Sequence, residues 1–415
     1  MKKILLLCGM IVALLTACSE QQTMESILDE EFVNIAKGYI SASQAVDIAN
    51  DFAADFNDEP GSRSENRKAS STRNVMTIRA RASRSAEDLI YVVNYDDDQG
   101  FALVSKKDIE NPVLAFIPEG SYDEQVASQI HGFEIFVSDA VIYLSNNLNI
   151  EAEGTNDDIS PTPTIPGLND SIPQLSNSTY GHTVHLNWGQ NGLFGSLCPN
   201  KTTGCVPLAY AMMMSYHEYP ESIMVTYDNS NRVLHLNWKE IKCHKSYSLN
   251  RFGDWNSLRP YTNPDPSLWP ECKRTACTQD SHYQLSTLLR QLGDDFDATY
   301  GEPGSTSVTV PFLYSPIQKY NYSYHSFTSY IRRAVEYHLN YKGPVLMIGD
   351  YEGKHMWICD GMLTKQEDDK QIKYFHYNWG WDGEFNGFFR SGVFAPAEGY
   401  PDFTQIQIGC TNPEK

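Results

Sequence analysis

The chain has 415 residues, 41% of them hydrophobic, and a formal net charge of −20. That length exceeds what one core ordinarily holds, so two domains are expected, and the apolar share is too low for a polytopic membrane protein. Such an acidic balance argues against binding along a nucleic-acid backbone, which requires clustered Lys and Arg, and fits a soluble, self-repelling surface.

The first residues read as an export signal. Lys2 and Lys3 form a basic head, and Ile4 to Leu15 is an apolar run too short to span a bilayer comfortably. It ends in Leu15-Thr16-Ala17-Cys18, ahead of polar Ser19-Glu20-Gln21-Gln22. Residues 1–17 are therefore expected to be a lipoprotein signal peptide, with Cys18 the lipid-anchor residue at a bacterial membrane and 18–37 a polar tether. Acylation at two or more positions would give stable anchoring. Beyond Cys8 and Cys18 lie seven cysteines, at 198, 205, 243, 272, 277, 359 and 410. An odd number in an exported protein leaves at least one thiol unpaired, without saying which. Cys243-His244, Cys272, Cys277 and His282 match no strong zinc spacing, so a disulfide or buried thiols are expected there and no metal.

Residues 38–57 carry Ala45, Ile48, Ala49 and Phe52 at helical spacing. A polar loop over 58–74 follows. Leu89–Val93 and Phe101–Ser105, joined by Asp96-Asp97-Asp98-Gln99-Gly100, predict a hairpin. Pro112–Ile117 predicts a third strand and Phe133–Leu148 a second helix. Residues 151–173, acidic and proline-rich, read as an extended linker open to proteolysis. The fold class expected is α+β throughout: a smaller unit over 38–150, the linker, and a larger unit over 174–415.

Chemistry concentrates in the larger unit. In Thr203-Gly204-Cys205-Val206-Pro207, the cysteine opens a helix carried on by Leu208, Ala209, Met212, Met213 and Tyr216, with Pro207 tolerated in its first turn. A helix N-terminus favours thiolate, the form that attacks a carbonyl. After the strand at 343–349, His355 begins another strand at a turn edge. The segment Tyr374–Gly383 leads a strand into an aromatic, glycine-rich loop, where Asn378 could orient an imidazole and Trp379 shield the contact. Cys…His…Asn is the order of papain-like enzymes. Gln190, upstream of the cysteine, could donate to an oxyanion together with the Cys205 N–H.

These blocks resemble the streptopain family of papain-like cysteine peptidases. The resemblance rests on Gln190, Cys198-Pro199, Thr203-Gly204-Cys205-Val206, Tyr219-Pro220, Tyr300-Gly301 with Gly304-Ser305, His355 with Asp360-Gly361, and Asn378-Trp379-Gly380-Trp381 with Gly383 and Gly387-Phe388-Phe389-Arg390. The upstream Val93-Asn94-Tyr95, Gly100-Phe101, Val104-Ser105 and Val113–Phe116 resemble that family's propeptide. It implies a two-lobed papain-like domain, a Cys205–His355 dyad, Gln190 in the oxyanion hole, Asn378 and Trp379 supporting the histidine, and residues 38–150 as an inhibitory propeptide. Substrates would be proteins or peptides, with no cofactor. Pro207-Leu208, Tyr210-Ala211-Met212 without a Gln, and Lys354 ahead of the histidine depart from the family pattern. The rival expectation is a catalytically inactive surface binding protein on the same scaffold.

Overall fold

The computed structural model describes residues 38–57, 68–78, 88–146, 186–242, 279–302, 304–308, 316–323, 328–329, 332–350, 354–367, 370–394, 406–409 and 412–414. The signal, Cys18, the tether, the linker at 151–173 and Cys243, Cys272, Cys277 and Cys410 lie outside them.

In chain order the elements are α1 (Ala42–Asn57), β1 (Val75–Ile78), β2 (Ile90–Asn94), β3 (Phe101–Ser105), β4 (Val113–Ile117), α2 (His131–Ser145), α3 (Cys205–His217), β5 (Ser222–Val225), β6 (Arg232–His235), α4 (Gln279–Asp295), β7 (Ala298–Tyr300), β8 (Thr306–Val308), β9 (Thr328–Ser329), α5 (Arg332–Tyr341), β10 (Val345–Asp350), β11 (Lys354–Glu367), β12 (Lys370–Asn378), β13 (Gly387–Arg390) and β14 (Ile406–Gly409), with one-turn helices left unlabelled. The fold is α+β: a propeptide-type unit followed by a papain-like domain. The expected first helix, hairpin, third strand and second helix are all present. Strand β1 follows directly on the expected loop. Helix α3 ends at His217, ahead of Pro220, where Glu218 adopts a left-handed conformation (φ 50°).

The two units share one sheet. Ten antiparallel strands run in the order β1-β2-β3-β4-β13-β12-β11-β10-β14-β9. The seam is β4 against β13, where Phe116 pairs with Phe388 and Ala115 with Phe389. Successive residues of a strand face opposite sides, so the two pairs enter different cores. Ala115 and Phe389 join the core under α2 and α5, which takes Leu103, Phe133 and Phe136 from the first unit and Trp357, Tyr377 and Trp379 from the second. Phe116 and Phe388 join the core under α1, with Phe52, Val104, Leu363 and Tyr374. A third core, under α3 and α4, belongs to the second unit alone among its buried members.

Polar contacts lock the seam. Buried Arg390 donates through Nη1 to the carbonyls of Glu110 (3.1 Å) and Asn111, and the Tyr374 hydroxyl donates to Val113 O (2.9 Å). A strand pairing flanked by two common cores resembles an obligate interface rather than a loose tether. Release of the first unit on cutting the linker, as its composition suggests, therefore meets a strong opposing term. A precursor carrying Cys205→Ala and nicked within 151–173 is expected to elute from size exclusion as one body in native buffer and to separate only in denaturant. Two species in native buffer would show that the linker, not the shared core, holds the units together.

Candidate active site

Helix α3 is held by apolar burial on nearly every side: residues 207 to 215 are all buried. Its first residue is Cys205. The preceding Gly204 has φ +85°, a conformation side chains rarely adopt, and a Cβ there would sit 3.0 Å from Thr306 Cγ2. Glycine thus lets the chain turn into the helix with β8 close behind it. Leu208, one of the departures from the family pattern, fills the space beneath Gly380 of the aromatic loop, where an added Cβ would lie 2.8 Å from its Cδ2.

Strand β11 runs beside α3, and its Met356 and Ile358 lie in the α3 core. His355 precedes Met356 and takes the opposite face. Its imidazole stacks on Trp357 (centroids 6.1 Å, interplanar angle 18°), and Nε2 lies 3.3 Å from Trp379 O. His131, at the start of α2, sits 6.1 Å away between ring centroids. Gly132 permits that approach: a Cβ there would lie 2.3 Å from Cε3 of the Trp379 indole. The indole has no room to yield, being fully buried and donating from Nε1 to Phe385 O (2.9 Å).

The electrostatics follow from this burial. Burial pushes the Cys205 thiol up; the amides of Met356, Cys205 and Val206 pull the other way and lose. Burial, aided by His131, lowers His355 to about 4, against a small opposing contribution from its contact with Trp379. Both groups are neutral at pH 7, and no hydrogen bond joins Sγ of Cys205 to the imidazole among the described residues. No hydrogen bond joins Asn378 to the imidazole either. Its Nδ2 donates to Leu186 O (2.7 Å) and its Oδ1 accepts from Gly380 N (3.1 Å). Trp379 lies beside His355, its carbonyl facing Nε2. Gln190 is half-buried, and its carbonyl accepts from Thr203 N (2.8 Å), two residues before the thiol. Cys198 and Cys359 are buried, and no metal-holding cluster occurs among the described residues. His131 and Gly132 carried no signal in the sequence, since a lone His-Gly at a helix start is commonplace.

Residues 188–389 match the Peptidase C10 family, and residues 37–141 match the Spi protease inhibitor family, together most of the chain. The segment 188–389 is a Peptidase C10 domain. Streptopain of Streptococcus pyogenes is 24% identical over 352 residues, covering 76% of this chain and 80% of that protein. The thiol protease/hemagglutinin PrtT of Porphyromonas gingivalis is 23% identical over 364 residues, covering 79% of this chain and 38% of that protein. A solved structure of Prevotella intermedia prointerpain A is 15% identical, with a TM-score of 0.48 over 78% of this chain and 96% of that one. The chain is a streptopain-like cysteine protease domain preceded by an inhibitor-type propeptide.

The inward imidazole has a consequence for stability. Its folded pKa, about 4, lies below its ordinary 6.5, so the unfolded chain takes up the proton first on acidification. The stability it confers is full above pH 6.5 and declines as pH falls from there towards 4. The Cys205→Ala precursor is expected to lose thermal midpoint between pH 7 and 4.5, and Cys205→Ala with His355→Gln to lose less. His282, also buried and lowered to about 4, is common to both and cancels. Parallel pH profiles for the two chains would contradict the buried neutral imidazole.

Proposed function

We propose that this chain is the precursor of an exported cysteine endopeptidase, latent until its propeptide is removed. In the active enzyme Cys205 is the nucleophile and His355 the base, forming a thiolate–imidazolium pair. The thiolate attacks a peptide carbonyl while the Gln190 side chain and the Cys205 N–H hold the oxyanion. The imidazolium then protonates the leaving amine, and water activated by His355 releases the acyl group. The observation that carries this reading is the position of Cys205: first residue of a buried helix, with the amide of Met356, neighbour of His355, beside its sulfur. The sulfur thus lies one residue along β11 from His355, and the dyad forms when the start of β11 rearranges to bring the imidazole from the Trp357 face towards it.

Latency follows from α2. His131 and Gly132 close over the imidazole and Trp379, keeping His355 neutral and turned from the sulfur. Cys18, acylated, would hold the precursor at a bacterial membrane.

Once an added protease has digested the first unit and not merely cut the linker, Cys205→Ala is expected to have no activity on casein. His355→Ala should fall by roughly three orders of magnitude or more. Near wild-type turnover from either variant would remove the dyad assignment. For the anchor, wild type should partition into detergent and Cys18→Ser should not; equal partitioning would exclude lipidation.

Gly132→Leu tests latency separately. Overpacking against an immovable indole costs about 1–3 kcal/mol, so α2 should lift in the intact precursor. Labelling of Cys205 by an epoxide thiol inhibitor is expected to rise several-fold before any cleavage. Unchanged labelling would mean that α2 does not hold the site closed.

A further inference from the structure

The strip Leu186–Gln190 carries the candidate oxyanion donor, and three carbonyls along it are hydrogen-bonded from outside. Leu186 O accepts from Asn378 Nδ2 (2.7 Å), Trp188 O from Asp382 N (3.1 Å), and Gln190 O from Thr203 N (2.8 Å). The first donor is the last residue of β12, and the second lies in the loop that follows it. The third stands two residues before Cys205. The three carbonyls belong to alternate residues, so the strip is fastened at both ends and at its middle. Its middle is pressed from the same loop: a Cβ at Gly189 would lie 1.9 Å from Asp382 Oδ1. Trp188, between the outer anchors, is fully buried. The donor and the nucleophile are thereby referred to one frame.

Asn378 is committed at both ends of its amide. Its Oδ1 accepts from Gly380 N, which fixes the loop's own turn, and its Nδ2 is held by Leu186 O. The side chain is buried, so breaking either bond leaves an unsatisfied polar group. We propose that Asn378 is a positioning residue for the oxyanion site, acting through the Leu186–Gln190 strip rather than by orienting the imidazole. This rests on the reading that Gln190 donates to the oxyanion. An oxyanion donor is useful only where the charge develops, and a small displacement of the strip weakens it in the transition state while leaving substrate binding nearly intact.

The test is a double-mutant cycle on the full chain processed by an added protease, with kcat normalised to thiols titrated by an epoxide inhibitor. Gln190→Ala is expected to lower kcat roughly 100-fold with KM little changed. Asn378→Ala should lower kcat by about tenfold or more alone, and by less than about twofold in the Gln190→Ala background, because the strip then has no donor left to place. The pH profile of Cys205 alkylation by iodoacetamide, which needs a thiolate and no oxyanion site, should be the same for wild type and Asn378→Ala. Gly189→Ala, which forces a methyl group onto the Asp382 carboxylate, reaches the strip without touching Asn378. It should show the same dependence on Gln190 and keeps the proposal testable should Asn378→Ala fail to fold. Losses that multiply for Asn378→Ala and Gln190→Ala, with a shifted alkylation profile, would assign Asn378 to the imidazole and overturn the proposal while leaving Gln190 in place. An unchanged kcat for Gln190→Ala would remove the oxyanion reading itself, and this proposal with it.

Discussion

Two residue pairs, Phe116 with Phe388 and Ala115 with Phe389, carry the sheet from the first unit into the second. Each pair also continues one of the two cores that flank the sheet. The first unit therefore contributes strands and helices to the same hydrophobic interior as the peptidase domain. Such a seam exchanges both backbone hydrogen bonds and apolar area, and apolar burial is worth about 25 cal/mol per Å². Buried Arg390 adds a penalty for parting, since its guanidinium would leave the carbonyls of Glu110 and Asn111.

The state of the reacting groups depends on that seam. With β1–β4 in place, α2 lies across the sheet and its first turn meets the start of β11. Gly132 lets the helix settle on Trp379, His131 faces His355, and the imidazole stays against Trp357 on the side of the sheet away from Cys205. Burial does the rest, because a desolvated imidazole and a desolvated thiol both favour their neutral forms. The latency proposed above would then rest on which face of the sheet holds the imidazole, with no need to fill the cleft.

Local patterns were legible in the sequence where one residue period or one glycine decides the structure. The apolar spacing of Ala45, Ile48, Ala49 and Phe52 marks α1. The turn Asp96–Gly100 marks the β2–β3 hairpin, and Gly204-Cys205 ahead of Leu208, Met212 and Met213 marks α3. Helix α4 carries the same signal in Leu285, Leu288, Leu289 and Leu292, a period the expectations leave out. The seam was not legible. Strand β13 is four residues long and buried on both faces, so Gly387-Phe388-Phe389-Arg390 shows no alternation and nothing that names β4 as its partner. The partners of Asn378 were hidden for a similar reason: Leu186 O is a backbone atom, and backbone acceptors have no sequence signature. Residue types suggested which groups could react. The pairing of distant strands decides which of them meet.

The protonation state of His355 reports on this account most directly. In chain labelled with ¹⁵N-histidine, the imidazole nitrogens distinguish neutral ring from imidazolium. The intact Cys205 precursor is expected to show a neutral His355 at pH 7 and down to about pH 5, assigned by its loss in His355→Gln. The processed enzyme freed of its propeptide should show an imidazolium at pH 7, paired with the Cys205 thiolate. An imidazolium already present in the intact precursor at pH 7 would contradict the account, because the dyad would then be assembled with the propeptide in place.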